Sequence, residues 1–239
     1  MTRHVLVTGG GTGIGRAVAA AFAAQGDTVH ITGRRETVLK ETAAAIGAHP
    51  HVCDHASPTA LAALASALPA SIDVLVNNAG GNTGIGAPEP VGLSAVADAW
   101  RRQLDANLIT AVLTTELLAD RLAPGGAVVH IGSIAADKGA GSYGAAKAAL
   151  AAWNVDLARA LGERGVTSNV VSPGYIAETE FFGDGMTERR YDALVAATNV
   201  GRAGEPADIA GTVVFLASAG ARYISGQSLA VNGGAWPSR

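Results

Sequence analysis

Tyr143 and Lys147 stand four residues apart in an alanine-rich stretch that reads as a helix over residues 143–161. At that spacing both side chains lie on one helix face. A phenol has a pKa of about 10 and is a poor acid–base group near neutrality. A neighbouring ammonium favours the phenolate and draws that value toward working pH. The chain has only three lysines, Lys40, Lys138 and Lys147, so few others compete for this role. The pair suits delivery of a proton to the alkoxide that develops when a hydride reduces a ketone. Ser133, just past an apolar run at residues 127–131, adds a hydroxyl able to hydrogen-bond a carbonyl and to stabilise that alkoxide.

A hydride must come from a nucleotide, and the start of the chain has the residues to hold one. Thr8-Gly9-Gly10-Gly11-Thr12-Gly13-Ile14-Gly15 follows the first apolar run and opens the first helical pattern. Glycines there permit a tight turn and close approach of the backbone to a pyrophosphate, which rests on the helix N-terminus. The second apolar run ends Thr32-Gly33-Arg34-Arg35. An acidic residue at this point would hold a ribose 2′-hydroxyl, whereas a guanidinium pairs with a 2′-phosphate. NADP(H) is therefore favoured over NAD(H), the simpler alternative being two solvated loop arginines. Asp54 follows the third strand, where it is placed either to accept from an adenine amino group or to close a turn.

These groups need a frame that brings them to one edge. Strands are expected at residues 5–7, 28–32, 72–76, 127–131, 166–171 and 228–231, with a weaker one ending at 51–53. Helices are expected at 14–24, 36–46, 58–68 (Ser57 as N-cap), 94–122, 143–161 and 206–218. Strands alternating with helices of this length imply right-handed crossovers and a parallel sheet covered on both faces. With 239 residues and no linker or repeat, one domain over 1–239 is expected, carrying a binding loop or lid at about 175–205.

Together these motifs resemble the short-chain dehydrogenase/reductase family, most of all its 3-oxoacyl-(acyl carrier protein) reductase-like branch. Thr8-Gly9 through Gly13-Ile14-Gly15, Asn77-Asn78-Ala79-Gly80, Tyr143 with Lys147, Pro173-Gly174 and Val231-Asn232-Gly233-Gly234 occur in the family's order across nearly the whole chain. The resemblance implies a Rossmann-type doubly wound α/β fold with a seven-stranded parallel sheet. It implies that Asn107 joins Ser133, Tyr143 and Lys147 as a catalytic residue, holding a water that relays protons to the lysine. It implies that Lys147 also binds the nicotinamide ribose, and that Asn78, Ala79, Gly80, Pro173, Gly174, Ile176 and Thr179 complete the cofactor site with Gly9, Gly11, Thr12, Gly13, Ile14, Gly15, Arg34, Arg35, Asp54 and Tyr143. It also implies a homotetramer, or else a dimer, built on the helix after the fourth strand and the helix bearing Tyr143.

The sequence departs from the family in two places. The segment between Ser133 and Tyr143 is a few residues short, which makes Ser142 a second candidate for the carbonyl contact. The threonine expected five residues after Pro173 is replaced by Glu178, and Thr179 comes one later. The activity implied is NADPH-dependent reduction of a ketone, including a 3-oxoacyl or polyketide-type carbonyl. The alternatives are an NAD(P)-dependent alcohol dehydrogenase running oxidatively and a silent nucleotide-binding regulator.

Composition removes other classes. Hydrophobic residues are 49% of the chain, enough for a large core. A net charge of −3 argues against a nucleic-acid partner. A single cysteine excludes an internal disulfide, and six histidines without ligand spacing imply no catalytic metal. The longest apolar run, residues 17–24, is far below the roughly 18 residues of a membrane span. Residues 1–4 lack the order of a signal peptide, so a soluble cytoplasmic protein is expected.

Overall fold

The computed structural model describes residues 2–237. The first strand, β1 (His4–Val7), lies in the interior of a seven-stranded parallel sheet in the order β3-β2-β1-β4-β5-β6-β7. Its companions are β2 (Thr28–Gly33), β3 (His49–Val52), β4 (Ile72–Asn77), β5 (Leu122–Ile131), β6 (Thr167–Pro173) and β7 (Ser228–Val231). Between them run α1 (Gly13–Ala24), α2 (Glu36–Ile46), α3 (Pro58–Ala67), α4 (Gly92–Leu104), α5 (Thr110–Leu118), α6 (Ala135–Lys138), α7 (Gly141–Gly162), α8 (Glu188–Ala196) and α9 (Pro206–Leu216). This is the doubly wound Rossmann-type arrangement expected.

Strand side chains alternate between two apolar layers. Val5, Val7, Val74 and Val76 face one layer with Phe22, Val18, Val213 and Leu216 of α1 and α9. Leu6 and Leu75 face the other with Leu61, Leu64, Leu118, Leu157 and Leu161 of α3, α5 and α7. Both faces of the sheet are thus covered, which is why the strands read as continuous apolar runs. The strand order reverses between β1 and β4, and the carboxyl ends there open a crevice.

Three boundaries differ from the sequence reading. The expected helix over 94–122 is broken by a wide π-turn, Asp105–Ile109, in which the Thr110 amide reaches back to the Asp105 carbonyl. Helical periodicity continues through it, so spacing alone conceals the extra residue. The same stretch stops at Leu118, because Leu122 already starts β5, with an irregular register opposite Ile72 and Val74. The third strand is His49–Val52, paired in register from His30↔His49, and Cys53 lies just beyond it. Pro50 is tolerated there because β3 is an edge strand. Ser57 caps α3 as expected, accepting from the Ala60 amide at 3.3 Å.

Histidines are used as buried neutral groups. His30 stacks at 5.1 Å on His49 and 5.3 Å on His51, with Nδ1 3.1 Å from His51 Nε2. Burial, with the neighbouring His51, His49 and His4, brings His30 down to about 4. His55 bridges Thr32 (2.7 Å) and Thr114 (2.6 Å), and burial holds it at about 4. His130 is enclosed by Asn77, Ser168 and the edge of Trp153, and burial holds it at about 3. As pH falls, imidazoles of the unfolded chain take protons near 6.5 and those of the folded chain only near 4 or below. Stability contributed by these groups is therefore complete above about pH 6.5 and is lost as pH falls toward 4. Urea midpoints measured from pH 7.5 to 4.5 should drop steeply below 6.5, and a His30→Gln/His55→Gln double variant should flatten that slope.

Candidate active site

The crevice begins with a clasp between the ends of β1 and β4. The Asn78 side-chain amide donates to the carbonyls of Thr8 (2.9 Å) and Gly9 (3.0 Å). In return the Thr8 hydroxyl accepts from the amides of Asn78 (3.0 Å) and Ala79 (2.9 Å). Gly9 takes φ +64°, and a side-chain carbon there would press on Asn78 at 2.9 Å. A Cβ on Gly15 would lie 2.2 Å from the Gly9 carbonyl oxygen, so that turn can close only on glycine. The turn leaves Gly11, Thr12, Gly13 and Ile14 as bare backbone along the crevice wall. Thr12 makes no side-chain cap and no acid stands in the first turn of α1, so the positive end of the helix faces the crevice.

The crevice continues as a cleft of about 1120 Å³. Its walls include Gly9, Gly11, Thr12, Gly13, Ile14, Gly15, Arg34, Arg35, Asp54, Asn78, Ala79, Gly80, Ser133, Tyr143, Lys147, Pro173, Gly174, Ile176 and Thr179. Every expected site residue except Asn107 thus lines one cavity. Asp54 closes a turn as well, accepting the Ala56 amide at 3.0 Å. A glycine-lined turn at a helix N-terminus, followed by a basic corner and a buried tyrosine–lysine pair, fits a dinucleotide.

Ser133 sits immediately after β5, and Tyr143 and Lys147 lie in α7, both buried. The Lys147 ammonium donates to the Ile131 carbonyl at 2.8 Å and lies 5.9 Å from the centre of the Tyr143 ring. Burial brings Lys147 down to about 8. Burial also pushes the Tyr143 phenol above its ordinary value, with the Ser133 side chain opposing. Removal from water is the larger of the two effects on the phenol. Ser142 does not line the cleft, and Ser133 does.

Asn107 occupies the π-turn and is fully buried. Its amide donates to the carbonyls of Gly81 (2.9 Å) and Gln103 (3.0 Å), and its oxygen accepts the Gly81 amide (3.0 Å). A Cβ on Gly80 would come within 2.8 Å of Asn107 Oδ1 and 3.5 Å of Lys147 Nζ. The Asn107 side chain therefore positions the Gly80–Gly81 backbone against the lysine, and its polar atoms are already engaged.

Beyond β6, Gly174 packs against Asn232 and its amide reaches the Val231 carbonyl at 3.3 Å. Ala177 and Gly204 pin the base of the following segment by a 2.8 Å backbone bond. Glu178 then adopts φ +56°, a left-handed conformation strained for a side chain of this type. This turn absorbs the extra residue and returns Thr179 to Gly13, with 3.3 Å between Thr179 Cγ2 and a Cβ placed there. Phe181 lies tilted against Tyr143 at 5.6 Å and edge-on to Phe182 at 4.9 Å, and Tyr175 meets Phe182 at 5.7 Å, giving the cleft an aromatic wall.

Sequence reasoning passed over two groups. Thr8 was quoted in the motif without a role, though its pairing with a strand-end asparagine was readable from types alone. Glu180 was missed: it pairs with Arg35 through two bonds of 3.2 and 2.6 Å across 145 residues, which no local pattern signals. Among the described residues, no group of three or more His, Cys, Asp or Glu is placed to hold a metal ion. No helix among them is long and apolar enough to cross a membrane.

Fold and crevice define a nucleotide-dependent oxidoreductase of the Rossmann class. A family model described as enoyl-(acyl carrier protein) reductase matches residues 9–235. The chain is 35% identical over 232 residues to an oxidoreductase of Mycobacterium tuberculosis strain H37Rv, covering 97% of each. It is 33% identical over 239 residues to the 3-oxoacyl-[acyl-carrier-protein] reductase FabG of Escherichia coli K12, covering 96% of this chain and 95% of FabG. Among solved structures it is similar to the angucycline C-6 ketoreductase LanV with bound NADP: TM-score 0.87, 28% identity, 98% of this chain and 95% of the other. It is also similar to a metagenomic blue fluorescent protein in complex with NADPH: TM-score 0.85, 32% identity, 98% of both chains. The chain belongs to the short-chain dehydrogenase/reductase family and is an oxidoreductase.

Because the Gly15 position has no room for a methyl group, Gly15→Ala should force the Gly9 backbone outward. Overpacking of this kind costs about 1–3 kcal/mol. Fluorescence titration with a reduced nicotinamide dinucleotide should show affinity reduced by about five- to 150-fold, the range that cost spans, with a lower melting temperature.

Proposed function

We propose that this protein reduces a ketone to a secondary alcohol with NADPH, Tyr143 giving the proton. The observation that carries the reading is the convergence of Ser133, Tyr143 and Lys147 at the end of β5, in the same cleft as the glycine turn. A bound nicotinamide dinucleotide supplies the hydride. Gly9, Gly11, Gly13, Ile14 and Gly15, with Thr12, Asn78, Ala79 and Gly80, would hold its pyrophosphate and ribose portions. Ile176, Thr179, Pro173 and Gly174 would flank the carboxamide end, and Asp54 the adenine.

Ser133 hydrogen-bonds the substrate carbonyl and keeps its oxygen near the phenol. Tyr143 transfers its proton to the developing alkoxide. Lys147, as ammonium, stabilises the phenolate left behind. The Arg34–Arg35 corner supports NADP(H), and the NADP bound to LanV and the NADPH bound to the blue fluorescent protein agree with it. The segment at about 175–205 acts as a lid whose aromatic wall suits a partly apolar ketone.

A homotetramer, or else a dimer, accounts for apolar side chains left exposed on α4 and α7: Leu93 (90% exposed), Val96 and Trp100, at helical spacing along α4, and Val155 of α7. Their exposure supports burial of these helices against further copies.

A panel of ketones with NADPH, followed at the nicotinamide absorbance, tests the activity. Tyr143→Phe should lower turnover by about 10²–10⁴-fold while leaving NADPH affinity within a factor of about two, and an unchanged rate would remove Tyr143 from the mechanism. In a pH profile, reduction should hold level through neutrality and decline above about pH 8 as Lys147 loses its proton. Lys147→Met should abolish that limb.

A further inference from the structure

Glu180 stands in the corner where the nucleotide-selecting residues meet. Its carboxylate takes both terminal nitrogens of Arg35, at 3.2 and 2.6 Å, and the Thr12 side chain faces the same carboxylate. Arg35 precedes α2, and Thr12 precedes α1 with its side chain committed to no cap. The Arg35 fork at the start of α2 is therefore filled by an anion that belongs to the chain itself, with the start of α1 beside it. Glu180 reaches them because Glu178 turns the segment inward and Thr179 seats on Gly13. Arg35, Thr12 and Glu180 all line the cleft, as does Arg34.

We infer that Glu180 sets nucleotide selectivity, its carboxylate being the resident anion of a corner that Arg35 and Thr12 otherwise offer to a ribose 2′-phosphate. The inference rests on the NADP(H) reading given above. Two anions cannot share one guanidinium fork without strong repulsion, so Glu180 must release Arg35 before Arg35 can hold a phosphate. A ribose bearing a free 2′-hydroxyl makes no such demand, and a carboxylate can accept from that hydroxyl. Glu180 therefore lowers affinity for the phosphorylated nucleotide and leaves or improves affinity for the other. It also ties lid position to the 2′ substituent: the segment is strapped to Arg35 with NAD(H) and freed with NADP(H). Both partners are largely exposed, at 59% and 62%, so the strap is weak enough to exchange.

The test measures Kd for NADPH and NADH by fluorescence, and for adenosine 2′,5′-bisphosphate and 5′-AMP by calorimetry. The proteins are the full chain, Glu180→Gln and Arg35→Ala, with melting curves to confirm folding. Glu180→Gln should bind NADPH and the bisphosphate about fivefold more tightly, the factor corresponding to an exposed ion pair of ~1 kcal/mol. NADH and 5′-AMP should bind no more tightly than to the unaltered chain. Equal gains for both nucleotide pairs, no gain, or weaker NADPH binding would each overturn the inference. Arg35→Ala separates the underlying reading: if it weakens NADPH while Glu180→Gln changes nothing, the arginine corner stands and the role of Glu180 falls. If Arg35→Ala leaves NADPH affinity unchanged, the arginine corner is wrong and the inference falls with it.

Discussion

The exchange of four hydrogen bonds between Thr8 and Asn78, with Ala79 and Gly9 at its margins, is the interaction on which the rest of the molecule's chemistry depends. β1 and β4 are adjacent only because the strand order reverses between them. At that reversal the helices following the two strands leave on opposite faces, and nothing covers the strand ends. Backbone groups there must find partners or water. The clasp satisfies the carbonyls of Thr8 and Gly9 from one side chain, the Gly10 amide reaches the Thr32 carbonyl at 3.0 Å, and the turn from Gly11 onward lines the crevice. Gly15 makes this possible, since a side-chain carbon there would lie only 2.2 Å from the Gly9 carbonyl oxygen. The glycine turn at the head of the crevice is thus a consequence of closing a sheet whose order has switched.

A second constraint acts at the other end of the crevice. Lys147 and Tyr143 are taken out of water by the packing of α7 on β5 and β6, and each resists becoming charged there. The two shifts run in opposite directions on the scale but have the same cause. They reverse the ordinary order, leaving the phenol above the ammonium, which is the wrong sense for a free phenolate and the right one for a protonated phenol. The backbone carbonyl of Ile131 holds the amine in place, so its position does not depend on its charge. The π-turn contributes from the opposite side, since Asn107 fixes the Gly80–Gly81 backbone against Lys147.

Much of this was legible in the residues. Apolar runs at 5–7 and 72–76 give strands because alternate side chains have two layers to fill, and the glycine turn and the Tyr143–Lys147 spacing carry their geometry in their own sequence. What was hidden is non-local or compensated. The wide turn at Asp105–Ile109 inserts a residue without disturbing helical periodicity. The start of β5 at Leu122 is concealed because Pro124, Gly125 and Gly126 interrupt the apolar pattern before Ala127. The upward shift of Tyr143 could not be read from residue types, because burial, which sequence does not report, is its main cause.

The segment beyond β6 draws these ends together. Thr179, Glu180 and Phe181 are consecutive, yet they touch Gly13, Arg35 and Tyr143 in turn. A stretch of three residues therefore contacts the glycine turn, the basic corner and Tyr143 at once. The chain bends through these residues, and the direction in which it enters the bend decides which side chain meets which partner. Glu178, at φ +56°, sets that direction at a conformational cost of about 1–2 kcal/mol. The contacts with Gly13, Arg35 and Tyr143 offset this cost, and loss of any one of them weakens the restraint on the other two. Geometry at the nucleotide corner and geometry at the phenol are in this way properties of one short piece of backbone.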